Sequence, residues 1–151
     1  MSGKNITKNK KAYFNFHILD TYEAGLVLQG SEIKSIRNHQ ISIDQAYVHV
    51  DGEEAWLIDS YINTYEQASS FNHNPKRRRK LLLHKKEILD LWDMVRIKGN
   101  TIVPLRVYLS NGKAKIEIAV AKGKKLHDKR RIIAERESER QTKRDLKQIG
   151  F

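Results

Sequence analysis

Residues 105–120, LRVYLSNGKAKIEIAV, decide the architecture of this chain. Leu105, Val107 and Leu109 alternate with Arg106 and Tyr108. After Asn111-Gly112, Ala114, Ile116, Ile118 and Val120 alternate with Lys113, Lys115 and Glu117. Successive residues of a strand point to opposite faces, and Asn-Gly supplies the positive φ angles of a two-residue hairpin turn. The stretch predicts a β-hairpin with one buried face and one cationic face.

Working outward, Asp51-Gly52 lies between apolar runs at 46–50 and 55–58 and predicts a second hairpin, its loop lengthened by Glu53-Glu54. Residues 12–19, rich in aromatics, and 22–28 read as two further strands, with Gly25 a bend or bulge, and 61–65 extends the β region. A short helix near 31–37 follows from Ser31 as N-cap and from Ile33 and Ile36 on one face. A helix at 85–97 follows from Ile88, Leu91, Trp92 and Val95 and is ended by Gly99-Asn100. Residues 68–75 are polar and read as an exposed loop. The fold class is mostly β: a small, closed, OB-fold-like antiparallel β-barrel with flanking helices. Periodicity alone leaves an open α+β sheet as the alternative.

Three regions follow. Residues 1–11 read as a flexible basic N-terminal arm, 12–121 as the barrel, and 122–151 as a basic C-terminal tail. The tail favours helix by composition but offers no apolar stripe to dock on the body. It is expected to be disordered in isolation and helical on binding.

The 151 residues carry a formal net charge of +11, with 31% charged and 39% hydrophobic residues and no cysteine. Such charge predicts attraction to a polyanion. No apolar run approaches the roughly 20 residues of a membrane span, and no apolar segment follows the basic N-terminus as in a secretory signal. A cytoplasmic, non-membrane protein is expected, without disulfides or thiolate metal sites. Catalysis is not expected. Gly123-Lys124-Lys125 lacks the upstream glycine and the Ser/Thr of a phosphate loop, and the six histidines are scattered singly. No cofactor, metal or small-molecule substrate is anticipated.

Three basic elements are candidates for RNA contact: the arm with Lys4, Lys8, Lys10 and Lys11; the run Lys76, Arg77, Arg78, Arg79, Lys80; and the stretch from Gly123 through Arg131. Five consecutive cations repel one another and gain nothing from packing as a solvated loop, which favours nucleic-acid contact for the second. Tyr13, Tyr22 and Tyr108 are candidates for base stacking, although a barrel position explains each as well and is preferred.

Specific strings then narrow the reading. Residues 9–12, NKKA, and 22–37, YEAGLVLQGSEIKSIR, are followed by 79–84, RKLLLH, with Glu87-Ile88 behind it, by 99–105, GNTIVPL, and by 121–130, AKGKKLHDKR. In this order and spacing they resemble the signature blocks of the SmpB family, the bacterial tmRNA-binding proteins. The resemblance implies an OB-type barrel that binds the tRNA-like domain of tmRNA and delivers it to stalled ribosomes for trans-translation. It also implies a tail that enters the small-subunit decoding centre and the empty message channel, and elongation factor Tu as a partner through aminoacylated tmRNA. Asn9, Glu23, Leu82 and Lys115 match family positions implicated in binding the tRNA-like domain. Lys10, Lys11, Tyr22, Lys34, Arg37 and Arg77–Lys80 lie in or beside the same blocks. Gly123, Lys124, Lys125, His127, Asp128, Lys129, Arg130 and Arg131 match the ribosome-directed tail. A generic OB-fold RNA binder without tmRNA selectivity is the alternative.

Overall fold

The computed structural model describes residues 4–65 and 72–148. The hairpin is longer than its alternation suggests. Strands β8 (Asn100–Ser110) and β9 (Lys113–Gly123) pair from Asn100 opposite Lys122 to Ser110 opposite Lys113. Asn111 and Gly112 take φ of 52° and 75°, the two positive angles that match the right-handed twist of the strands.

Strand β2 (Phe16–Leu26) runs along the other edge of β9. It replaces the two strands expected over 12–28, because residues 10–15 form a helix, α1 (Lys10–Asn15). Asn9 caps that helix, its Oδ1 accepting from the Ala12 amide at 3.1 Å. The register of β2 slips between Ile18 and Asp20, so the bulge falls at Leu19 rather than at Gly25.

Residues 4–8, expected to be flexible, form β1 (Lys4–Lys8) on the outer edge of β8, with Ile6 turned into the core. One apolar residue among polar ones is too weak a local signal for a strand. The unpaired backbone groups of the β8 edge supply the rest.

On the far side, β7 (Arg79–Leu82), β5 (Glu54–Ile58) and β4 (Tyr47–Asp51) complete the sheet in the order β1-β8-β9-β2-β7-β5-β4. Asp51 faces Glu54, so the second hairpin turns on Gly52 and Glu53 alone, without the longer loop expected. A two-stranded ribbon, β3 (Ile41–Ser42) with β6 (Tyr61–Ile62), stands beside it. The barrel is not closed. The sheet curls until β4 packs against β8, but β1 already occupies the β8 edge that a closing strand would need.

The main core fills the curl, with Leu57, Leu81, Ile102, Ile116 and Ile118 from the strands. Ile36 of α2 (Gly30–Arg37) and Ile88 and Leu91 of α3 (Lys85–Val95) join it. Both helices lie where periodicity placed them, α3 ending two residues earlier than expected. A second, smaller core of Ala12, Val103, Leu105, Ala119 and Ala121 lies outside the curl, under α1. Over that part the hairpin is buried on both faces, which corrects the simple division into an apolar and a cationic face.

Strand β9 extends to Gly123, two residues past the expected edge of the body. Then α4 (Leu126–Gln148) leads away as a 23-residue helix. Its root is tied to the body: the Lys124 amide donates to Asn15 O at 2.8 Å, and the Arg136 guanidinium lies 5.8 Å from the Phe14 ring.

Candidate nucleic-acid interface

Gly25 is opposite Lys115 on β9 and opposite Leu82 on β7. Because strand side chains alternate, this register sets Glu23, Gly25, Lys115 and Leu82 on the same outer face of the curled sheet. Leu82 is 56% exposed there. Next to it lies a depression of about 420 Å³ whose lining includes Gly25, Leu28, Ile33, Leu82, Lys113 and Lys115. A Cβ on Gly25 would stand 3.4 Å from the Leu82 Cβ, so the missing side chain keeps this floor open.

Several charges on the face are paired. Lys115 Nζ is 3.6 Å from Glu23 Oε1, and Tyr108 stands opposite Lys115 on the same face. The nearby Tyr108 hydroxyl holds the Glu23 carboxyl below its ordinary range, against desolvation and with help from Lys115. Burial, reinforced by the Glu23 carboxylate, pushes Tyr108 up to about 12. Along the same face Arg106 lies over the Tyr108 ring at 4.3 Å, meets Glu117 at 3.5 Å and donates to Asn5 Oδ1 at 2.7 Å.

The cationic run at 76–80 is not a solvated loop, and its members divide. Arg79 is completely buried, with Nε donating to Glu32 Oε2 at 2.7 Å. Its other nitrogens donate to Ser60 Oγ and O and to the carbonyls of Asn74 and Pro75. Arg77 donates to Glu32 Oε1 at 2.6 Å. Two of the five cations therefore bind a buried anion inside the protein. Arg78 and Lys80 stay on the outside, Arg78 at 4.9 Å over the Trp56 ring and Lys80 at 3.6 Å from Glu54. Glu32 is the residue that sequence reasoning missed. The available signal was its place three residues after Gln29, where its Oε1 accepts from the Gln29 amide at 2.8 Å and caps α2.

Other expected site residues scatter. The Asn9 amide is buried and spends both its N–H groups on Pro104 O and Ile43 O, at 3.0 and 3.3 Å, so its side chain anchors α1. Tyr22 turns to the inner side, its ring against the core and its hydroxyl on Asp20 at 3.3 Å. Lys34 and Arg37 stand exposed on α2, off the sheet, Lys34 at 5.6 Å from the Tyr65 ring. Lys10 and Lys11 are exposed on α1 beside Tyr13, which is 39% exposed and has Lys8 Nζ 5.1 Å from its ring. Of the three tyrosines only Tyr13 departs from the buried barrel reading. Lys124 Nζ donates to Tyr13 O at 3.0 Å. Gly123, Lys125, Arg130 and Arg131 are exposed and Lys129 half-buried around the start of α4. The side chains of His127 and Asp128, residues 149–151, and part of the 68–75 loop lie outside the described residues. Among the described residues no group of three or more His, Asp or Glu could hold a metal ion, and no helix is long and apolar enough to cross a membrane.

The chain matches the family model described as SmpB protein over residues 6–148. It is 50% identical to the SsrA-binding protein of Desulforudis audaxviator over 141 residues, 93% of this chain and 92% of that one. It is also 50% identical to the SsrA-binding protein of Rhizobium johnstonii over 151 residues, covering 99% and 100%. A solved chain described under "tmRNA-SmpB: a journey to the center of the bacterial ribosome" superposes with a TM-score of 0.68 at 40% identity, covering 80% of this chain and 85% of that one.

Proposed function

The chain belongs to the SmpB family, and on that footing we propose that it binds the tRNA-like domain of tmRNA with the outer face of β2, β7 and β9. It brings that RNA to stalled ribosomes for trans-translation, and hence works in the cytoplasm. The observation that carries the reading is the register around Gly25, which gathers Glu23, Leu82 and Lys115 from three strands onto one accessible face. Each has a distinct part in RNA chemistry. Lys115, with Lys80 and Arg78 nearby, neutralises phosphates, and Leu82 packs under an unstacked base. Glu23 would repel phosphate, so it accepts from a base edge or a ribose hydroxyl.

The tail takes the second half of the work. Helix α4 is about 35 Å long, begins at a cluster of cations and keeps its described side chains largely in solvent. A cationic rod of this length suits the decoding centre and the empty message channel, with elongation factor Tu arriving on the aminoacylated end of the RNA. Binding to the isolated tRNA-like domain, with elongator tRNA as competitor across a salt series, tests the reading. A preference that survives moderate salt supports a shape-specific site. Equal binding that collapses steeply with salt refutes it, being simple phosphate attraction.

A further inference from the structure

Strands β4 and β5 carry a row of outward side chains that the cores do not use. Trp56 stands opposite His49 on β4 and opposite Lys80 on β7, and Tyr47 stands opposite Ile58. Val48, Val50, Ala55 and Leu57 are buried, and strand side chains alternate, so the residues between them point outward. Tyr47 is 42% exposed, and Tyr47, Trp56 and Ile58 belong to neither apolar core. Lys80 lies two residues before Leu82 on β7, so this row continues the face formed by Glu23, Leu82 and Lys115. A depression of about 350 Å³ is lined by Tyr47, His49, Asp51, Ile58 and Arg78. The Arg78 guanidinium lies 4.9 Å from the Trp56 ring, which holds it at the rim.

This inference rests on the proposed tmRNA-binding face. We propose that the depression is a nucleotide subsite of that face: an unpaired base of the tRNA-like domain stacks on the Tyr47 ring above Ile58, and Arg78 takes the adjoining phosphate. Proteins read RNA chiefly at unstacked bases, which settle on aromatic rings. His49 adds a second planar ring beside the site. The Asp51 carboxylate accepts but does not donate, so it suits an N–H of the base edge and turns the phosphate toward Arg78. Continuity favours RNA over a protein partner. Four strand spacings of about 4.8 Å separate β9 from β4, so the subsite lies about 19 Å from Lys115 along the surface, with Lys80 and Arg78 bridging the interval. One folded RNA seated on Lys115 and Leu82 reaches it. Phosphate contacts alone position an RNA without discriminating it, so a base held here contributes selectivity.

The test uses the full chain and the isolated tRNA-like domain. Tyr47→Leu keeps an apolar side chain and removes the ring. Affinity should fall at least about fivefold, the low end for one stacked base, with the salt slope unchanged because no cation is lost. Tyr47→Phe, which keeps the ring, should recover most of the loss. Arg78→Gln should instead reduce the salt slope by about one counterion. Wild-type affinity in Tyr47→Leu overturns the proposal, and so does a slope unmoved by Arg78→Gln. The wild-type chain gives a second reading should Tyr47→Leu not fold: the Tyr47 ring protons should shift upfield in NMR as the RNA is added, and unmoved resonances overturn the stacking. A Tyr47→Leu chain that binds the RNA normally but fails in peptide tagging would assign the surface to the ribosome and overturn the proposal as well. A wild-type chain that fails to prefer the tRNA-like domain would refute the binding face itself. A preserved preference that Tyr47→Leu leaves untouched would refute the subsite alone.

Discussion

Replacing Glu32 by Gln should cost more stability than almost any other single polar change in the molecule. Glu32 and Arg79 have no exposed side-chain surface, and Arg77 is 30% exposed. In Glu32→Gln the shape survives, but the buried Arg79 guanidinium keeps only neutral acceptors on Ser60, Asn74 and Pro75. Removing one partner of a buried ion pair costs about 3–5 kcal/mol, against a total of about 5–15 kcal/mol for a domain. At about 3 °C per kcal/mol for a chain of this size, Tm falls by about 10–15 °C. Urea unfolding, with an unchanged slope and a lower midpoint, measures the loss directly. A loss under about 1 kcal/mol, the range of solvent-exposed pairs, would show that water reaches the carboxylate and refute the account. The pH dependence supplies a second check. Burial pushes the Glu32 carboxyl up, but the Arg77 hydrogen bond, the Gln29 amide and the Arg79 charge together hold it below its ordinary range. A folded value below the unfolded one means that the contribution is present above the unfolded value, about 4.3, and is lost as pH falls through the folded value. Glu32→Gln has no proton to take up, so its stability should decline less steeply on the acid side of about pH 4.

Three further outcomes are expected. Gly25→Ala should leave thermal stability within about 1 kcal/mol, since its Cβ meets only the exposed Leu82 side chain. It should nevertheless weaken binding to the tRNA-like domain by filling the depression, which a filter-binding titration reads. Lys115→Ala should lower affinity and reduce the salt slope of binding by about one counterion; an unchanged slope would remove Lys115 from the phosphate contacts. Ending the chain after Lys125, beyond the last β9 residue Gly123, should keep Tm and tmRNA binding nearly unchanged while abolishing peptide tagging on stalled ribosomes. Loss of binding and tagging together would contradict the division of labour between body and tail.

Several elements were legible because their causes are local. The alternation over 105–120 and the Asn111-Gly112 turn specify the turn-proximal part of β8 and β9 and its register. The i, i+3 spacing of Ile33 and Ile36, and of Ile88 and Leu91, places α2 and α3. The ordered strings from residue 9 to 130 lead to the family and so to tmRNA. β1 and α1 were not legible. Their stability comes from an edge of β8 and from the patch of Val103, Leu105, Ala119 and Ala121, nearly a hundred residues away in the chain.

By itself, then, the sequence determined a β-rich cationic body, a cationic tail of helical composition and the family, because periodicity, turn chemistry and charge are properties of neighbouring residues. Only the tertiary structure decided which charges are free. Five consecutive cations look alike in sequence, yet Arg77 and Arg79 are taken up by a carboxylate on α2, while Arg78 and Lys80 face outward. Asn9 looks like a surface residue and is buried, and Glu23, Leu82 and Lys115 become neighbours only through β2, β7 and β9. The physical reason is that burial and ion pairing depend on non-local strand pairing, and a charge forced out of water takes whichever opposite charge the fold delivers.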